Sequence, residues 1–128
     1  MLERLQSKMT SQSVAETAAA LKGELERRGV HLFAEVDHAK AALAVNLELR
    51  ETRVLLFGNP AAGTPLMQQN ETVALALPLK VLVSQSETGT RVSYQPLRDQ
   101  AAVFGLSPDL PILSKLDAFM ESLVASVL

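Results

Sequence analysis

The sequence predicts an α+β fold in which an antiparallel sheet carries helices packed on one face. Three observations support it. In KVLVSQSETGTRVSYQPL, Val81 and Val83 alternate, Glu87-Thr88-Gly89 make a turn, and Val92 and Tyr94 alternate again, as in two adjacent antiparallel strands. Ile112, Leu113, Leu116, Phe119, Met120, Leu123, Val124 and Val127 recur at helical spacing, with Pro111 acceptable in the first turn. The elements read in the order β-α-β-β-α-β-β-α, which is not the regular strand–helix alternation of a parallel sheet.

Each element has its own warrant. Leu5, Ser7 and Met9 alternate with Arg4, Gln6 and Lys8, which reads as a half-buried edge strand. In SVAETAAALKGELERRG, Val14, Ala18, Leu21 and Leu25 line one helical face, Ser13 and Glu16 form a capping box, and Gly29 sits where a left-handed cap ends the helix. HLFAEVDH predicts a strand with Leu32, Ala34 and Val36 on one side and Phe33, Glu35 and Asp37 on the other, giving an acidic face. The alanine-rich AKAALAVN reads as a short helix or turn. LELRETRVLLFG predicts a strand whose end, Val54 to Phe57, is interior because it is apolar without a break. A helix is expected from Thr64-Pro65 to Pro78, with Leu66, Val73, Ala74 and Leu77 on one face, and RDQAAVFG predicts a short helix ending near Gly105. The eight apolar residues of the last helix, worth about 1.5–3 kcal/mol each when fully buried, make it a main contributor to the core.

A length of 128 residues fits a single domain, residues 1–128. Twelve Lys plus Arg against fourteen Asp plus Glu, interspersed, leave no clustered basic surface for nucleic acid. The absence of cysteine removes disulfides, thiol nucleophiles, cysteinyl zinc and iron–sulfur clusters. No apolar run reaches membrane-spanning length and MLERLQSKMT lacks the apolar centre of a signal peptide. The expectation is a soluble, cytoplasmic protein, the one alternative being a leader removed ahead of Met1.

Chemistry concentrates at FGNPAAGTPLMQQN, Phe57 to Asn70. Gly58 and Gly63 have the spacing of a phosphate loop between strand and helix, but the lysine is missing and Pro65 removes an amide. Asn59-Pro60 reads as a turn, Gly63 as an unusual backbone angle, Thr64 as the N-cap of the helix and Pro65 as its first residue. A helix start with free amides is an intrinsic anion site, which makes Gly58, Asn59, Gly63 and Thr64 the candidate ligand-binding residues.

Asp37 and His38 are the candidate acid–base pair, and neighbours on a strand face opposite ways, so a dyad requires the strand to end there. The structural alternative is an Asp that caps the next turn. Glu35, Asp37, His31 and His38 form the local cluster of potential metal ligands; Glu35, Asp37 and His31 share a face of a regular strand, but no metalloenzyme spacing supports them. No metal or cofactor is called for. Ser84, Ser86 and Ser93 lack the glycine-flanked elbow of a hydrolase.

DHA at Asp37 to Ala39, FGNP at Phe57 to Pro60, GTPLM at Gly63 to Met67 and LPLKVLV at Leu77 to Val83 resemble, in order and spacing, the domain of unknown function 302 family of small bacterial proteins. The resemblance covers nearly the whole chain. It implies an α+β fold with an antiparallel sheet and, in places, a dimer, and it certifies no catalytic residue. Ala61-Ala62 stand where more polar or basic residues are expected, which weakens the anion site. Two readings follow: a non-catalytic binding or interaction module with a small-anion or apolar ligand near residues 57–67, and a hydrolase or isomerase using Asp37 and His38. Four Phe and one Tyr disfavour a stacking pocket for nucleobases. A homodimer would form most easily through the short, half-apolar edge at Leu5-Ser7-Met9.

Overall fold

The computed structural model describes residues 5–128; Met1 and Arg4, which enter the expectations above, lie outside the described residues. Five strands form one antiparallel sheet in the order β1-β5-β4-β3-β2, with β1 Gln6–Thr10, β2 His31–Asp37, β3 Thr52–Gly58, β4 Leu79–Ser86 and β5 Gly89–Tyr94. The terminal strand β1 is an edge, as its half-apolar pattern implies, and β2 is the other.

Helix α1, Val14–Arg27, begins at the expected capping box: the Glu16 amide donates to Ser13 Oγ and the Ser13 amide to Glu16 Oε1, both at 3.0 Å. It ends in a Schellman motif, with Gly29 at φ 70° while the Val30 amide donates to the Leu25 carbonyl. Helix α2, His38–Ala44, starts at Asp37, whose carboxylate accepts from the Lys40 amide at 2.9 Å. Helices α1 and α4, Pro111–Ala125, bury Leu21, Leu25, Leu123 and Val124 against Leu55, Phe57, Val81, Val83 and Val92 on one face of the sheet. The opposite face carries Val36, Val54 and Leu82 in register, and Val36 is exposed there.

The predicted helix from Thr64 to Pro78 is two pieces. Helix α3 spans Pro60–Gln69, and a separate 3₁₀ segment covers Glu71–Ala76. The break is at Asn70, an extended residue whose side chain accepts from the Thr72 amide and so caps the second piece. Leu66 and Val73 are buried as expected, but Ala76 takes the interior position foreseen for Ala74. A second 3₁₀ segment, Leu97–Phe104, ends at Gly105 with φ 66°. These pieces and the start of α4 enclose a second core of Leu66, Val73, Ala76, Leu97, Ala101, Leu106 and Leu113.

The Leu97–Phe104 segment has no cap of its own, since Pro96 precedes it. Asp117, reaching from α4, accepts from the Leu97 amide at 2.8 Å and the Arg98 amide at 3.2 Å. Leu97 is buried, so removing the acceptor leaves a donor without water. Asp117→Ala is expected to cost about 1–3 kcal/mol in urea unfolding, with Asp117→Asn, which keeps one acceptor, costing less. A change below about 0.5 kcal/mol for the alanine variant would contradict this bridging role.

Candidate functional site

The junction between β3 and α3 differs from its expected form. Asn59, not Thr64, is the N-cap: its Oδ1 accepts from the Ala61 amide at 2.9 Å, and Pro60 takes the first helical position that suits its fixed φ. Thr64 and Pro65 lie inside α3. Gly63 has no left-handed backbone either, and its amide donates to the Asn59 carbonyl at 3.0 Å, as an ordinary helical residue does. Asn-Pro reads equally as a turn or as a cap followed by the first helical residue, and the asparagine side chain decides for the second.

The correction changes the chemistry. Pro60 has no N–H, the Ala61 amide is held by the Asn59 side chain, and the Ala62 and Gly63 amides both donate to the Asn59 carbonyl. The donors an anion would use are engaged, which takes away the physical basis of a phosphate or carboxylate cradle at this helix start. What the junction frames instead is a half-open cavity of about 280 Å³ beside Gly58, Asn59, Gly63 and Thr64, lined also by Phe33, Met67, Leu77, Leu79 and Leu116. No lining residue is charged; Asn59 and Thr64, both exposed, are the polar side chains.

Gly63 faces this space. A Cβ added there would stand 3.5 Å from Leu77 and 4.0 Å from Met67, in ordinary contact, so the helix leaves room at this point without needing glycine for its backbone. Phe33 reaches the cavity through a bulge. Leu32 pairs with Phe57 and Ala34 with Leu56, leaving Phe33 unpaired between them. Its ring closes on the strand end, 3.5 Å from where a Gly58 Cβ would be, and lies edge-on to His31 with centroids 4.6 Å apart.

The same bulge overturns the expected facing of β2. One extra residue reverses the alternation. Leu32 falls on the helix-covered side with Glu35 and Asp37, while Ala34 and Val36 face the other way, and His31 no longer shares a face with Glu35. The acidic side therefore points at cations: Glu35 accepts from Lys22 Nζ at 2.7 Å and Arg53 Nη1 at 3.2 Å. The Lys22 hydrogen bond, more than Arg53, holds the Glu35 carboxyl below its ordinary pKa. Among the described residues no group of three or more His, Asp or Glu is placed to hold a metal.

Asp37 is engaged in capping α2 and stands 3.8 Å from Arg53 Nε, while His38, the first residue of that helix, is exposed. Asp37 pairs with Arg53 at one end of β3 and His31 with Gly58 at the other. Five residues at about 3.3 Å each put roughly 16 Å between the Asp37–His38 corner and the cavity. Phe33, Leu77 and Leu116 escape a linear reading, because the first needs the bulge and the others come from segments distant in sequence.

Residues 6–127 match the family model described as Domain of unknown function DUF302. A crystal structure of an uncharacterized conserved DUF302 protein from Bacillus stearothermophilus is similar over 98% of this chain and 95% of its own, with a TM-score of 0.78 and 19% identity, which speaks for the fold alone. Curated relatives include Fluoride-specific ion channel FluC 1 of Brucella suis, 35% identical over 103 residues that make up 78% of this chain and 41% of the relative. The protein of the same name from Brucella abortus is also 35% identical, with 38% of its length covered. The chain thus spans about two fifths of the curated relatives it matches, and none of its described helices is long and apolar enough to cross a membrane.

Proposed function

The chain belongs to the DUF302 family, and on that footing we propose that it is a non-catalytic binding module that holds a small molecule at the β3–α3 junction. The observation that carries the reading is the apolar cavity beside Gly58, Asn59, Gly63 and Thr64, lined by residues from β2, β3, α3, the 71–79 segment and α4. A concave apolar space with few polar groups at its mouth is the usual form of a small-molecule site. Acid–base chemistry lacks comparable support, since Asp37 already caps a helix and pairs with Arg53.

A thermal-shift screen of small neutral and anionic compounds tests the proposal. A ligand at a hundred times its dissociation constant stabilises by about 2.7 kcal/mol, several degrees for a domain of this size. No stabilisation by any compound that NMR places at Met67 and Leu77 would refute it.

The curated relatives favour a second reading, that the domain serves a fluoride channel as an attached or associated part. The ion path of those relatives is then expected in the three fifths of their length that this chain does not match. The same assay separates the readings: a shift with sodium fluoride and none with sodium chloride would favour the channel-linked role.

A further inference from the structure

We infer that the ligand of this cavity is an uncharged, mainly apolar molecule of about ten non-hydrogen atoms, gripped by Phe33 and turned so that a hydroxyl or carbonyl group lies at Asn59 and Thr64. The inference rests on the binding reading above and adds the chemical class.

Size follows from volume: about 280 Å³, at the ~30 Å³ that one heavy atom occupies in a liquid, holds a short chain or a single substituted ring. Charge follows from the wall. A carboxylate or ammonium carried inside would lose its water and find no opposite charge among the lining residues, a transfer that protein interiors tolerate only with pairing. Nor do the helix amides offer compensation, because those of Ala61, Ala62 and Gly63 already have acceptors.

Orientation follows from the mouth. Asn59 gives its side-chain oxygen to the Ala61 amide, which leaves its NH₂ group as a donor, and the exposed Thr64 hydroxyl both donates and accepts. A neutral oxygen at one end of the ligand satisfies these groups while the rest stays among Leu77, Leu79 and Leu116.

The role of Phe33 rests on a separate feature. Bulges re-aim side chains next to sites, and this one takes an aromatic residue out of the strand's alternation and places its ring at the cavity. Phe33 remains 52% exposed, and a bound molecule would cover apolar area there.

The test compares 1-octanol with sodium octanoate at pH 8, two probes of equal chain length, by NMR titration of the Met67 methyl signal. Saturable shifts with 1-octanol, and at least tenfold weaker binding of octanoate, are expected. Phe33→Ala should weaken 1-octanol severalfold, and Gly63→Leu, which extends a side chain toward Leu77, should abolish binding. Gly63→Ala, whose Cβ meets only ordinary contacts, provides a graded variant that keeps the fold and should weaken binding by less. Octanoate binding as tightly as 1-octanol, with both lost in Gly63→Leu, would overturn the neutral class and leave the site standing. Failure of both probes to move Met67, or unchanged 1-octanol binding in the folded Gly63 variants, would overturn the site and the inference together.

Discussion

Phe57→Ala is expected to lower the unfolding free energy by about 3–5 kcal/mol, the range for truncating a fully buried aromatic residue. Phe57 is completely buried on the helix-covered face of β3, opposite Leu32 on one neighbouring strand and Leu79 on the other. Its ring centroid is 6.4 Å from that of Phe119 on α4. Nothing on the rigid strands can close the void, so the cost combines lost transfer energy with an unfilled cavity. The measurement is urea unfolding followed by circular dichroism, with the midpoint read at constant slope. A loss under about 1.5 kcal/mol would mean that α4 settles into the gap and that the sheet–helix interface is looser than the burial implies.

That residue also shows what the sequence could reveal. The unbroken run from Val54 to Phe57 is apolar on both sides of the strand, a pattern that only an interior strand supports, and β3 lies between β2 and β4. Helix α1 was equally legible, since Ser13, Glu16 and Gly29 are residues whose chemistry acts within one turn and needs no tertiary context. The hairpin and α4 belong to the same class: their periods are long enough to outweigh any local competitor.

The parts that were not legible depend on choices between near-equal local options. Asn59-Pro60 suits a turn and a helix start alike, and Thr64-Pro65 a few residues on presents the same signature again; burial of Leu66 against a core built from distant segments favours the earlier start. The bulge at Phe33 carries no glycine or proline to announce it. Its effect is large because one added residue reverses every later side chain in β2. The sequence singles out residues 57–67 for a small anion or an apolar ligand; what it does not reveal is that Asn59 engages the amides an anion would use. Asp117 was silent for a related reason, because its partners, Leu97 and Arg98, are twenty and nineteen residues away.

Leu66→Ala is expected to cost about 2–5 kcal/mol, because Leu66 is fully buried in the second core, where α3 meets the 3₁₀ segments and the start of α4. Its cluster of buried residues is distinct from that of Phe57. Leu79 is the half-buried residue that packs against both cores, and it also lines the cavity. If the two cores relax independently, Phe57→Ala and Leu66→Ala should add to within about 0.5 kcal/mol in the double variant. A larger departure would show that Leu79 transmits strain from one core to the other. In that case a molecule bound between Phe33 and Leu116 would stiffen both, and its binding would be felt throughout the sheet. Additive losses would instead confine any ligand's effect to α3 and its surroundings, so the double-variant cycle measures how far the cavity can speak to the rest of the fold.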